Sequence, residues 1–387
     1  MLSIINRCVD FIFRQPLQLM TASVPENNGA ATLQSLHEKL LRIPDLRPIY
    51  ANWESGLNPF CDELRAFVDK KIDKYIKDEK ARFKTKAIDL GWFTSLIYPN
   101  AEMEQLKTMA MVSMTFFVFD DTIDKEIDID IPDFASNFDA ATGLRQHSIA
   151  YMRYWLSQDT NSHNLKHGEL LVPEQFASFD ALVSSVRAAP PNQINLSRLA
   201  DDFQEFVDAT AVEQRHRLSG KLPSIKEYWA YRHGVGAVFA FCTLHQYVTD
   251  TILPDGLAWC EEVMTMRLET SIQTIICNDL YSLKKEVKED TPTNLVPIMI
   301  SKSKSPMDLV INELIGQMYS SARRFDSAVA SLQAKGCSYD DNIQAQLSKF
   351  VKSFETFQTG CFTFFQDAER FRIKEYKQID GSYLIPL

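Results

Sequence analysis

The chain has 387 residues, enough to bury a large core, and length alone allows two or three domains. Its formal net charge of −10 argues against nucleic acid as a partner, and it makes an anionic small molecule an unattractive ligand unless cations accompany it. Glycine is scarce at 13, and the one clear polar–apolar alternation, Ile127-Asp128-Ile129-Asp130-Ile131, is stopped at once by Pro132, so an all-α fold is favoured.

In chain order, the apolar opening from Leu2 to Phe13 is interrupted by Arg7 and Asp10 and makes a poor secretory signal. Residues 1–32 read as an N-terminal extension that packs on the domain or touches a membrane surface, with its loop exit in the Ser23 to Gly29 stretch. Residues 33–387 show neither an internal repeat nor a low-complexity linker and read as one domain. The spacing predicts a long amphipathic helix over 60–84, then a helix over 101–124 that is apolar on most faces from Met109 to Phe119. An acidic loop at 127–133 follows and could cover the end of that helix. Further helices are expected over 143–156, 173–189 and 195–219, the last ended by Gly220. The pattern over 224–245 contains Gly234 and Gly236, each costing about 1 kcal/mol relative to alanine in a helix, so a break is expected there. It would free backbone carbonyls to face a ligand. Helices over 258–289, 306–334 and 339–372 finish the bundle, and a polar tail begins at Glu375 and Tyr376. No stretch of about 20 apolar residues exists, so no stable membrane insertion is expected.

Two acidic stretches carry the chemistry. Asp120 and Asp124 are i and i+4 on the first apolar helix, with Asp121 beside them, pointing about 100° away from Asp120. Like charges at that spacing disfavour an isolated helix, and a bound divalent cation would reverse the sign. A solvated acidic face is the ordinary explanation of such a run, but three carboxylates at the end of a buried helix need partners or metal. In the second stretch Asn278, Ser282 and Glu286 fall at i, i+4 and i+8, an oxygen-bearing stripe drifting about 40° per step. An amide carbonyl, a hydroxyl and a carboxylate are the hard ligands that magnesium accepts.

The seven cysteines are scattered without a CxxC, so neither zinc nor a disulfide framework is indicated, and a reducing cytoplasmic setting is the default. His163 and His167 are four apart but lack the glutamate of HExxH, which favours a solvated loop. His233 reads as a packing or solvent residue. Most of the 25 phenylalanines are ordinary core.

These stretches resemble the motifs of class I terpene synthases, most closely the fungal and microbial sesquiterpene cyclases. Asp120-Asp121-x-x-Asp124 matches the DDxxD motif. Asn278-Asp279-x-x-Ser282-x-x-Lys285-Glu286 matches every specified position of NDxxSxxKE. Arg232 stands where the family places a diphosphate-sensing arginine, Val235 at the linker and Gly236 at the effector position. Near the C-terminus the family carries an Arg-Tyr pair after a tryptophan; here Arg370 has the spacing, Phe364 replaces the tryptophan and Phe371 the tyrosine, and Arg372 competes for the role. The resemblance covers roughly residues 55–375.

The resemblance implies a single α-helical bundle around an apolar cavity. It also implies three magnesium ions held by Asp120, Asp121, Asp124, Asn278, Ser282 and Glu286. Arg232, Lys285 and Arg370 would bind the diphosphate. The allylic carbon–oxygen bond would break, and Phe93, Phe116, Phe117, Phe239 and Phe364 are candidates to face the resulting carbocation, at about 0.5–2 kcal/mol each. Farnesyl diphosphate is the expected substrate, with geranylgeranyl diphosphate the alternative, and the enzyme would act as a monomer or homodimer. A chain-elongating prenyltransferase would need a second aspartate-rich motif in place of the Asn-Ser-Glu stripe. A non-enzymatic helical interaction protein would leave the regular spacing of these residues without a cause.

Overall fold

A computed structural model describes residues 29–123, 134–156, 178–190 and 192–387. Asp124, the acidic loop at 127–133, His163, His167 and most of the 1–32 extension lie outside the described residues. The described chain begins with a short helix α1 (Gly29–Gln34) and a strand β1 (Leu40–Ile43). The helix expected over 60–84 is two helices, α2 (Cys61–Tyr75) and α3 (Glu79–Ala87). Ile76 is extended at φ −103° and ψ 108°. Asp78 then starts a new helix by accepting the Ala81 amide at 2.6 Å. A short polar side chain at that position competes with helix continuation, and the apolar period cannot register it.

Next come α4 (Leu90–Ile97), which the sequence reading missed, and α5 (Met103–Ile123), the apolar helix that carries the first acidic residues. α6 (Phe138–Leu156), α7 (Ser178–Arg187) and α8 (Leu196–Ser219) follow. The ends of α8 are the expected ones: Asn195 accepts the Arg198 amide at 2.9 Å, and Gly220 closes the helix at φ 66°. α9 (Ile225–Val235) opens on a capping box between Ser224 and Glu227. It stops at Gly236, and the chain resumes as α10 (Val238–Thr243) and α11 (His245–Val248). The break is therefore where the glycines place it, but the residue that turns the chain is Ala237, left-handed at φ 53°.

A one-turn helix α12 (Asp255–Ala258) leads into α13 (Glu261–Lys288), the carrier of the second motif. α14 (Leu295–Ser303), also unforeseen, precedes α15 (Met307–Gly336) and α16 (Asp341–Asp367). α13 packs on α15, α16, α10 and α14, so most of its circumference is interior. Two of its buried polar residues are held by neighbouring helices: Glu269 takes two bonds from Arg324 at 2.6 and 2.8 Å, and Gln273 donates to the Met318 carbonyl at 2.7 Å.

The C-terminal end departs from expectation twice. α16 stops at Asp367, not at 372, because Ala368 is extended at ψ 133° and the chain turns back toward α5. The residues beyond do not remain a polar tail: β2 (Tyr383–Pro386) pairs antiparallel with β1, Leu41 opposite Ile385 and Ile43 opposite Tyr383. Those four side chains are buried, and four residues with a distant partner leave too short a pattern for periodicity to reveal. Among the described residues no helix is long and apolar enough to cross a membrane.

Candidate active site

The second motif is mounted on α13 by a buried polar cluster. Arg232, on the last turn of α9, donates from Nη2 to the Asn278 Oδ1 at 2.9 Å and to the Asp279 Oδ1 at 3.2 Å. Its Nε donates to the Tyr228 hydroxyl at 3.0 Å, one turn earlier on the same helix. The Tyr228 hydroxyl in turn donates to Asp279 Oδ2, which also accepts the Leu295 amide at 2.7 Å. Burial opposes the charge on Arg232, but Tyr228, Asp279, Glu213 and Glu286 outweigh it and hold its pKa well above the ordinary arginine value. Burial raises the Asp279 carboxyl above the usual range despite Arg232. Asp279 is thus the mount that fixes Arg232 beside Asn278, a role the sequence reading did not assign; its place inside the motif was the available signal. Tyr228 was also missed, and its only signal is the four-residue offset from Arg232.

Further along the stripe, burial first and Asp279 second push the Glu286 carboxyl up to about 7, against the pull of Ser282, Arg232 and Asn294. Lys285 lies within 3.8 Å of Glu289, an i,i+4 pair on the same helix.

The first motif is tied to the other end of the chain. Asp121 is buried and accepts two bonds from Arg370, at 2.8 and 3.2 Å. The turn after α16 brings Arg370 there, and its guanidinium also lies 5.9 Å from the centre of the Phe117 ring. Asp120 is half-buried. The end of α5 is held from α8, where Arg217 donates to the Ile123 carbonyl at 2.9 Å. Arg372, the competing candidate, is exposed and left-handed at φ 50°.

Three of the expected aromatics meet directly. Phe93 contacts Phe117 at 5.5 Å and Phe364 at 4.8 Å between ring centres. Phe116 joins them through Phe241, 5.8 Å from Phe116 and 6.4 Å from Phe93. Phe239 stands apart: it stacks on His233, with the Arg267 guanidinium 5.6 Å from its centre. Val235 is buried, and a methyl group on Gly236 would meet Ile275 at 3.6 Å. Among the described residues the Gly236 carbonyl accepts no backbone hydrogen bond.

Residues 111–321 match the model of terpene synthase family 2, C-terminal metal binding, which is more than half of the chain. The chain belongs to terpene synthase family 2. It is a class I terpene cyclase, an enzyme acting on a prenyl diphosphate. The sesquiterpene cyclase hepA of Aspergillus oryzae is 23% identical over 370 residues, covering 90% of this chain and 97% of the relative. A (+)-eremophilene synthase of Gibberella fujikuroi is 24% identical over 375 residues, covering 91% and 95%. Among solved structures, germacradien-4-ol synthase from Streptomyces citricolor superposes with a TM-score of 0.66 at 15% identity, covering 81% of this chain and 96% of that one. Linalool/nerolidol synthase from Streptomyces clavuligerus, solved in complex with 2-fluorogeranyl diphosphate, superposes with a TM-score of 0.66 at 16% identity, covering 80% and 100%. These superpositions establish the class I terpenoid synthase fold as a single-domain α-helical bundle.

The residues on the α13 stripe suit the divalent metal that this family implies. Ser282 Oγ is buried and has no hydrogen bond of proper geometry, although the hydroxyl lies near enough to Glu286 to lower its pKa. A buried hydroxyl that makes no hydrogen bond of proper geometry, between an amide oxygen and a carboxylate on one helix face, suits a hard cation. Among the described residues no three His, Cys, Asp or Glu side chains converge. The stripe contributes only one carboxylate, and Asp124 lies outside the described residues.

Proposed function

We propose that this enzyme ionises farnesyl diphosphate and cyclises the resulting cation to a sesquiterpene. The observation that supports the reading is the bond from Arg232 to Asn278, which sets a cation that would bind diphosphate beside the stripe that would hold metal. Asn278, Ser282 and Glu286 on one helix, and Asp120, Asp121 and Asp124 on the other, would hold three magnesium ions. When bound, these ions supply electrophilic stabilisation of the departing diphosphate. The protein's own share is to aim donors. Arg232 and Arg370 are already oriented by Tyr228, Asp279 and Asp121, so little reorganisation is needed when diphosphate oxygens become their acceptors. Lys285 adds a third cation.

The isoprenoid chain would lie against Phe93, Phe116, Phe117 and Phe364, whose faces stabilise positive charge and exclude water. Phe239, next to a guanidinium, is the weakest of the five for that role. Val235 and Gly236 would border the chain where α9 breaks, with the Gly236 carbonyl turned to the developing cation. The names of the curated relatives, among them a sesquiterpene cyclase, favour a fifteen-carbon substrate. The reading includes a cytoplasmic enzyme working as a monomer or homodimer.

The test is incubation of purified protein and magnesium with geranyl, farnesyl and geranylgeranyl diphosphate, followed by analysis of volatile products. A cyclic sesquiterpene from the farnesyl substrate is expected. Cyclic product from the geranylgeranyl substrate alone would move the assignment to a diterpene cyclase, and linear elongated diphosphates would make it a prenyltransferase.

A further inference from the structure

Asn294 is fully buried between α13 and α14. Its side-chain oxygen caps α14 by accepting the Val296 amide at 2.8 Å. Its amide nitrogen faces the other way and makes two bonds to α13. One goes to the Asp279 main-chain carbonyl at 2.8 Å, and the other to Glu286 Oε2 at 2.7 Å. The same connection is fastened at two further points: the Leu295 amide donates to Asp279 Oδ2 at 2.7 Å, and the Thr291 amide to the Glu286 carbonyl at 2.9 Å. A cap needs only the oxygen of an Asn side chain. Capping therefore does not account for the amide hydrogens, both of which serve the helix that bears the metal stripe.

A carboxylate side chain of glutamate has three rotatable bonds, and immobilising it is costly unless a partner holds it. Glu286 is the last member of the stripe, and Asn294 holds one of its two oxygens. The other oxygen is not the one Asn294 holds, and it is the one the stripe would offer to a cation.

We propose that Asn294 is a positioning residue for Glu286, fixing the carboxylate so that one oxygen is presented to a divalent cation. This inference rests on the proposed function of the stripe. Outer partners of this kind typically change metal affinity by about 10–100-fold.

The test uses Asn294→Asp and Asn294→Ser in the full chain. Both keep a good cap for α14, and both remove the amide donor. Thermal midpoints are measured in chelator and then with increasing magnesium in the presence of inorganic diphosphate, and magnesium binding is followed by calorimetry. The positioning role predicts a lower midpoint in chelator, because the Asp279 carbonyl and Glu286 lose a buried donor, and, measured from that baseline, at least a tenfold higher magnesium concentration for half-maximal protection by diphosphate. Turnover should then recover at high magnesium, more fully in Asn294→Ser, which adds no charge beside Glu286. An unchanged magnesium requirement in Asn294→Ser would overturn the proposal and leave Asn294 as a cap, even if Asn294→Asp fails to fold. A parent protein that shows no magnesium-dependent protection by diphosphate would overturn the reading of the stripe itself, and the proposal with it.

Discussion

Arg370 and Asp121 form a two-point ion pair, at 2.8 and 3.2 Å, that joins the turn after α16 to the last turn of α5. The pair is mostly shielded from water, with side-chain exposures of 15% for Arg370 and 4% for Asp121, so removing one partner strands the other. Arg370→Ala should destabilise the protein by about 3–5 kcal/mol. Arg370→Lys should lose part of that, because an ammonium cannot reproduce the fork. The double variant Asp121→Asn with Arg370→Ala should be more stable than the sum of the two singles allows. Urea titration of the four proteins checks this; strict additivity would show that the pair contributes nothing.

The two glycines at the helix break have different roles. A methyl group at Gly234 would lie 2.6 Å from the Ala209 Cβ and 2.9 Å from the Glu205 carbonyl oxygen, so Gly234→Ala forces α9 away from α8. A loss of about 1–3 kcal/mol is expected. At Gly236 the φ is −64°, and the tightest contact is the Arg232 carbonyl oxygen at 3.3 Å. Gly236→Ala should keep the thermal midpoint within a few degrees while changing the product mixture. A destabilised Gly236→Ala with an unchanged product profile would remove this residue from the site.

Two buried histidines set an acid limit. Burial pushes His233 down to about 4, and burial reinforced by Arg267 pushes His245 down to about 3. Both are neutral when folded and take up a proton near the ordinary value of 6.5 when unfolded. Below pH 6.5 the unfolded state binds more protons, so stability is present above that value and falls with pH down to about 3–4. Each histidine contributes roughly 1.4 kcal/mol per pH unit in that window. His245 stacks on Phe354 at 4.2 Å and its Nε2 is buried without a partner; its Nδ1 meets the Ser353 hydroxyl, which keeps its bond to the Phe350 carbonyl in His245→Phe, so that variant should fold at neutral pH with at most a modest loss of stability. The pH dependence of the urea midpoint should become shallower in this variant by one proton's slope; an unchanged slope would refute the assignment.

The strand pair at the chain ends also bears weight. Ile385 is completely buried opposite Leu41. Ile385→Ala should cost about 2–4 kcal/mol, measured by denaturant unfolding. A cost below about 0.5 kcal/mol, the usual range of surface substitutions, would mean that the pair is dispensable.

Much of this architecture was legible because helices announce their ends. Asn195, Gly220, Ser224 with Glu227, and Pro306 stand where caps are needed, so the helices they bound were placed within a few residues. The exceptions share a cause. Asp78 interrupts a continuous apolar period, α14 is a nine-residue helix of mostly apolar residues without amphipathic contrast, and β2 acquires its meaning only from β1 at the opposite end of the chain. In the site, the motif residues could be named from spacing, but their partners could not. Tyr228, Asp279 and Asn294 meet through tertiary packing of α9, α13 and the start of α14, and no local pattern encodes such a meeting. Phe239 has no local pattern that separates it from the other four candidate rings, yet its ring lies with His233 and Arg267.

The central claim is that the oxygen stripe on α13 holds the metal that ionises a prenyl diphosphate. Its most direct measurement is the rate of diphosphate release from farnesyl diphosphate as magnesium is varied, for the parent, Asn278→Ala and Glu286→Ala. The account predicts no release by the parent in chelator and saturable release with magnesium. It predicts a drop of at least a hundredfold, about 2.7 kcal/mol of transition-state stabilisation, in both variants at unchanged helix content. Near-parental release by both variants would contradict it and reduce the stripe to a helix face with no part in the reaction.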